Sequence, residues 1–193
     1  MADSSMQVVG YWSIGEAQSY TITLEKYKVK DADTSKRELL TYEVDVTVKD
    51  STATSYTIEW AYRNYNAQGA NQFTQQLMSI CENVAVIINT DEFGAVQGVE
   101  NWKEIRDEIN RSTNLLKEEY KDVPHIDKVI SATQSLFQSK EIIESRAIDE
   151  IRQFYSYHGA SYTLHEQLTA PVKVPNLYGG APFDATMTVY LDE

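Results

Sequence analysis

The residues able to do chemistry are few and far apart. His125, His158 and His165 are the only histidines, and Cys81 is the only cysteine. His158 and His165 flank Gly159, so a helix-to-strand corner there could bring two imidazoles together. A zinc site needs three or four converging ligands, and the chain has no HExxH, HxH or CxxC spacing to supply them. A histidine near a helix C-terminus is also what the helix dipole favours, which accounts for His158 without a metal. Cys81 ends the apolar run Leu77-Met78-Ser79-Ile80-Cys81 and reads as a small buried hydrophobe. No serine stands in a GxSxG setting, and Gly179-Gly180 lacks the Lys-Ser and helix start of a phosphate cradle. No metal or cofactor is expected. Enzyme chemistry, if present, would be that of a hydrolase pairing His158 or His165 with a carboxylate brought in by folding.

Carboxylates are plentiful but spread out. The 29 acidic residues outnumber the 17 basic ones, giving a net charge of −12 over 193 residues. Glu43, Asp45 and Glu59 occupy outward strand positions beside Lys49 and Arg63, while Glu104, Asp107, Glu108, Glu118 and Glu119 share a helix face. These are solvated surfaces; a glycosidase would need two carboxylates held about 5 to 9 Å apart across a cleft. Asp91-Glu92-Phe93-Gly94 lacks the alternating oxygens of a calcium loop and reads as a hairpin turn. The charge opposes non-specific binding to nucleic acid or anionic lipid. No apolar run approaches the roughly 18 residues of a transmembrane helix.

Aromatic residues are the compositional excess, with 13 tyrosines and three tryptophans. Such rings suit surfaces where one end is apolar and the other wet. Trp60 and Tyr62, with Tyr42 across a hairpin, form a core wall or line a groove. Tyr155, Tyr157, Tyr162 and Tyr178 gather with His158 and His165 around the corner at Gly159 and the Pro175–Pro182 loop. That set is the candidate ligand-binding site.

The elements that position these residues follow from periodicity. Tyr42, Val44, Val46 and Val48 alternate with polar residues, as do Tyr56, Ile58, Trp60 and Tyr62, and Asp50 to Thr54 supplies the turn of an antiparallel hairpin. The preceding strand carries Tyr20, Ile22 and Leu24 and then shifts phase to Tyr27 and Val29, which predicts a bulge near Glu25-Lys26. A short helix spans 71–82, and 84–90 and 95–99 form a second hairpin about Gly94. Asn101 and Glu104 are placed as a capping box for a helix with the stripe Trp102, Ile105, Ile109, Leu116 and Tyr120. After Pro124 a second helix carries Ile126, Val129, Ile130, Thr133 and Phe137. A third carries Ile143, Ala147, Ile151 and Phe154 and stops at Gly159. Residues 162–174 read as a strand broken at Pro171, and Phe183 to Leu191 as the last strand.

The fold class is therefore α+β in one domain. An antiparallel, hairpin-connected sheet (18–65 and 84–100) carries about three segregated helices (101–159) inserted before the last two strands (160–193). The last strand ends without a polar tail. It either pairs internally or seeks a strand from a C-terminal continuation or another chain.

Four blocks, Trp60-Ala61-Tyr62-Arg63-Asn64, Thr90-Asp91-Glu92-Phe93-Gly94, Val99-Glu100-Asn101-Trp102 and Pro175-Asn176-Leu177-Tyr178-Gly179-Gly180-Ala181-Pro182, resemble those of uncharacterised Bacteroidetes envelope proteins. That resemblance implies an exported or periplasmic protein with a β-rich half, a helical insert and further strands that close the sheet, but no activity. Met1 to Met6, without a basic or an apolar region, does not read as a secretion signal, which leaves the compartment open. The function expected is a non-catalytic binding or interaction domain with a small-molecule or protein ligand. The alternatives are a carrier of apolar, lipid-type ligands in a sheet-over-helix cavity, and the histidine hydrolase.

Overall fold

Burial follows the strand alternation residue by residue. Tyr42, Val44, Val46 and Val48 are buried, and so are Ile58, Trp60 and Tyr62 on the facing strand. A computed structural model describes residues 4–30, 33–174 and 181–191 of the chain. After a short β1 (Ser5–Gln7), five strands form an antiparallel meander in sequence order: β2 (Ala17–Lys30), β3 (Asp33–Ser51), β4 (Ser55–Ala67), β5 (Val86–Asp91) and β6 (Val96–Val99). The hairpin register sets Val44 against Tyr62, Val46 against Trp60 and Val48 against Ile58. Pairing of β2 with β3 shifts between Lys28 and Val29, a little beyond the Glu25-Lys26 position expected for the bulge. Leu24 and Tyr27 are exposed there, so no buried face fixes where the slip must fall.

The described residues form five helices: α1 (Gln72–Ser79), α2 (Trp102–Glu119), α3 (Ile126–Ser135, packed on α2), α4 (Lys140–Ile142) and α5 (Asp149–Tyr155). Ile105 and Ile109 of α2 and Ile151 of α5 pack on Trp60, Ile88 and Val99 in one core. The chain is thus α+β with its helices inserted before the last strands.

Three local readings change. Asn101 stands at the N-cap of α2, but its side chain makes no capping bond; its Oδ1 accepts from the Ile87 N–H at 2.9 Å and its Nδ2 donates to the Ala85 carbonyl at 2.8 Å. It pins the helix start to the beginning of β5 instead. The helix expected to run from Ile143 to Phe154 is interrupted by a π turn, Ile143–Ala147, closed by the Ile148 N–H on the Ile143 carbonyl at 3.2 Å. The extra residue moves the buried stripe to Ile143, Ile148, Ile151 and Tyr155 and leaves Phe154 exposed. The break expected at Pro171 falls earlier, at the turn containing His165 (φ +61°), between β7 (Ser161–Thr163) and β8 (Gln167–Val174).

These last strands make two separate ribbons and do not extend the five-stranded sheet. β7 pairs with β1, and β8 pairs with β9 (Phe183–Tyr190), so the last strand has an internal partner. Pro171 sits opposite Thr186 in that ribbon, where a proline costs little because an edge needs no donor. The register puts Leu168, Val172, Val174, Phe183, Met187 and Val189 on one face of the ribbon. Phe183 remains 57% exposed, and Leu168, Val174 and Met187 are exposed as well.

Candidate functional site

The corner at Gly159 (φ +83°) turns the chain from α5 into β7. The segment before the sheet crosses this corner. Val8 exchanges backbone hydrogen bonds with Gly159 and Ala160, and the Gly10 N–H donates to the Phe93 carbonyl at 2.9 Å. Trp12 then folds back over Gly10, where any Cβ would meet its ring at 2.5 Å. Its ring lies edge-on to Tyr56 at 5.1 Å and to Tyr155 at 5.9 Å, and 5.5 Å from His158. Gly94 is required on the other side, since a Cβ there would come within 2.8 Å of the imidazole.

The six residues expected to form a site therefore take different places. Tyr155 is a core residue, 3% exposed and edge-on to Trp60, and burial pushes its hydroxyl up to about 12. His158 is half-buried among Trp12, Tyr155 and the Gly94 backbone, and that burial lowers its pKa. His165 is exposed at its turn, with Nδ1 3.5 Å from the Tyr190 hydroxyl, so the two imidazoles keep separate neighbours. Tyr157 (45% exposed) and Tyr162 (9%) do come together, the Tyr162 hydroxyl donating to the Tyr157 carbonyl at 3.4 Å. With Val8, Val189, Tyr190 and Leu191 they line an open groove of about 360 Å³. Tyr178 lies outside the described residues.

A second concave site lies between sheet and helices. Tyr62 and Tyr65 of β4, Cys81, and the isoleucines of α2 and the π turn enclose about 60 Å³ beside Glu150. The Tyr62 hydroxyl donates to Glu150 Oε1 at 3.1 Å. Tyr42 stacks on Tyr65 with ring centres 4.7 Å apart. Burial raises the Glu150 carboxyl above its ordinary range, opposed by hydrogen bonds from Tyr62, its own backbone and Tyr42. Burial likewise raises Tyr42, Tyr62 and Tyr65, and pushes the Cys81 thiol up to about 11. Cys81 is thus a protonated lining residue at neutral pH, in keeping with its apolar sequence setting. Glu150 escaped the sequence reading because the π turn decides which way it faces. The one signal was Ile148, an apolar residue one place after Ala147 in the expected stripe.

The outer sheet face is the solvated surface its sequence implied. Arg63 binds Glu43 at 2.8 Å and Asp45 at 2.8 Å, and Lys49 binds Glu59 at 3.2 Å. Among the described residues no cluster of three or more His, Cys, Asp or Glu is placed to hold a metal, and no helix is long and apolar enough to cross a membrane. No family model, no curated protein and no solved structure matches this chain.

Proposed function

We propose that this chain is a non-catalytic binding domain of the cell envelope, and that the corner groove is its ligand surface. The observation that carries the reading is the groove itself. At about 360 Å³ it falls within the roughly 300 to 1,000 Å³ of small-molecule sites. Its walls are three tyrosines, three aliphatic side chains and Thr188, which offer flat apolar faces with hydroxyls able to orient a ligand. Three elements far apart in sequence build it: the strand-crossing segment at Val8, the corner, and the end of β9. Placement in the envelope rests on the resemblance of the four sequence blocks. A carrier of acyl chains has less support, because the enclosed space under the sheet, about 60 Å³, is well below the ~150 Å³ that admits one benzene.

The test is a calorimetric titration of the chain with indole, cyclohexanol and methyl β-glucoside. The reading expects saturable binding of at least one, weakened about fivefold or more by Tyr157→Ala and by Tyr190→Ala, two exposed positions whose truncation spares the core. Binding unchanged in both variants would place the ligand elsewhere, and conversion of any probe would end the non-catalytic reading.

A further inference from the structure

The pocket beside Glu150 has an electrostatic feature that its apolar walls do not explain. Its carboxylate is half-buried, and the groups acting on it are the Tyr62 and Tyr42 hydroxyls, its own backbone N–H and the like-charged Asp149. No lysine or arginine among the described residues pairs with it, whereas Glu43, Asp45, Glu59, Glu108, Asp127 and Glu144 each have a cationic partner. Three tyrosine rings gather beside this uncompensated anion. Tyr42 and Tyr65 stack at 4.7 Å, and Tyr62 lies 6.0 Å from Tyr42 and 6.3 Å from Tyr65. Aromatic faces are electron-rich, and together with a carboxylate they are what a desolvated organic cation needs. The remaining walls, including Ile105, Ile109, Ile143 and Ile148, are aliphatic.

We propose that this pocket is a binding site for a small alkylammonium, a cationic nitrogen carrying a short apolar chain. The nitrogen sits against Glu150 and the Tyr62 and Tyr65 rings, with Tyr42 stacked behind Tyr65, and the chain lies among the isoleucines. The volume of about 60 Å³ limits the apolar part to one or two carbons. Tyr65, Cys81, Phe137, Ala147 and Glu150 are only half-buried, which leaves a way in from that side. The site shares no residue with the corner groove, so either can fail without the other.

The test follows isoleucine methyl resonances of the full chain during titration with ethylammonium and, separately, with ethanol at matched ionic strength. The expected result is saturable movement of the Ile143 and Ile148 methyls with the ammonium, and binding of the alcohol at least about tenfold weaker. Glu150→Gln keeps an acceptor for Tyr62 and should lose the same factor. A parallel titration with Nα-acetyl-lysine methylamide tells a lysine side chain from a free amine as the source of the cation, and binding of either supports the site. Equal binding of ammonium and alcohol, or no response of these methyls to the ammonium, would overturn the proposal. The ammonium–alcohol comparison needs no variant and stands even if Glu150→Gln fails to fold.

Discussion

Oε1 of Glu144 accepts the backbone N–H of Val99 at 2.7 Å, so a side chain from the π turn takes the position a sixth strand would occupy beside β6. An open sheet edge is a template for unwanted pairing, and here one of its donors is taken from within the fold. The same carboxylate meets Lys140 at 3.7 Å, and the Arg152 guanidinium donates to the Glu144 carbonyl at 3.1 Å.

Glu144→Ala leaves the Val99 amide without its acceptor. It should cost about 1 to 3 kcal/mol in urea unfolding, with faster hydrogen exchange at Val99, whereas Glu144→Gln should retain most of the stability. Equal losses in the two variants would show that charge, not the acceptor, matters at this edge.

Glu150 sets a pH dependence with a definite sign. Its folded pKa is raised above the ordinary 4.5, chiefly by burial, so between the two values the native state holds the proton more often than the unfolded chain. Stability from this group is therefore present in acid and is lost as pH rises through the folded pKa. The melting temperature of Glu150→Gln, relative to the parent chain, should improve from pH 4 toward neutrality and then level off. A difference constant with pH would mean that Glu150 is not desolvated.

Much of this was legible in the alternation of Tyr42 to Val48 and Tyr56 to Tyr62, because a strand buried on one face writes its register into every second residue. Gly94 marked the second hairpin for the same kind of local reason. The groove was half legible. Tyr157 and Tyr162 flank a glycine stop that the sequence announces, but Val8 reaches them only through long-range pairing of β1 with β7. Glu150 was not legible. A π turn adds one residue to a helix, and everything after it rotates by about 100°, a little over a quarter of a turn.

Cys81 should behave as a sluggish thiol. With its pKa pushed up to about 11 by burial and by Glu150 and Glu82, reaction with a disulfide reagent at pH 8 should be much slower than for an unfolded control. Denaturation should restore the ordinary rate. Equal rates before and after denaturation would show that the thiol is not shielded.

The β8–β9 ribbon should be the least protected paired region. Two strands alone are marginal in water, and most of this ribbon is exposed on both faces. Its amides should exchange about two orders of magnitude faster than those of β4 and β5, which pair on both sides. Matching protection would mean that its apolar face is covered in solution, and sedimentation would then show an assembly larger than one chain.

The central claim, that the corner groove is the binding surface, is tested most directly by mapping amide shifts of the labelled chain on titration with indole. The account predicts saturable shifts concentrated at Val8, Tyr157, Tyr162 and Val189 to Leu191, with the core amides of β4 and β5 unmoved. Shifts centred on another surface, or none at these residues at saturating indole, would contradict it.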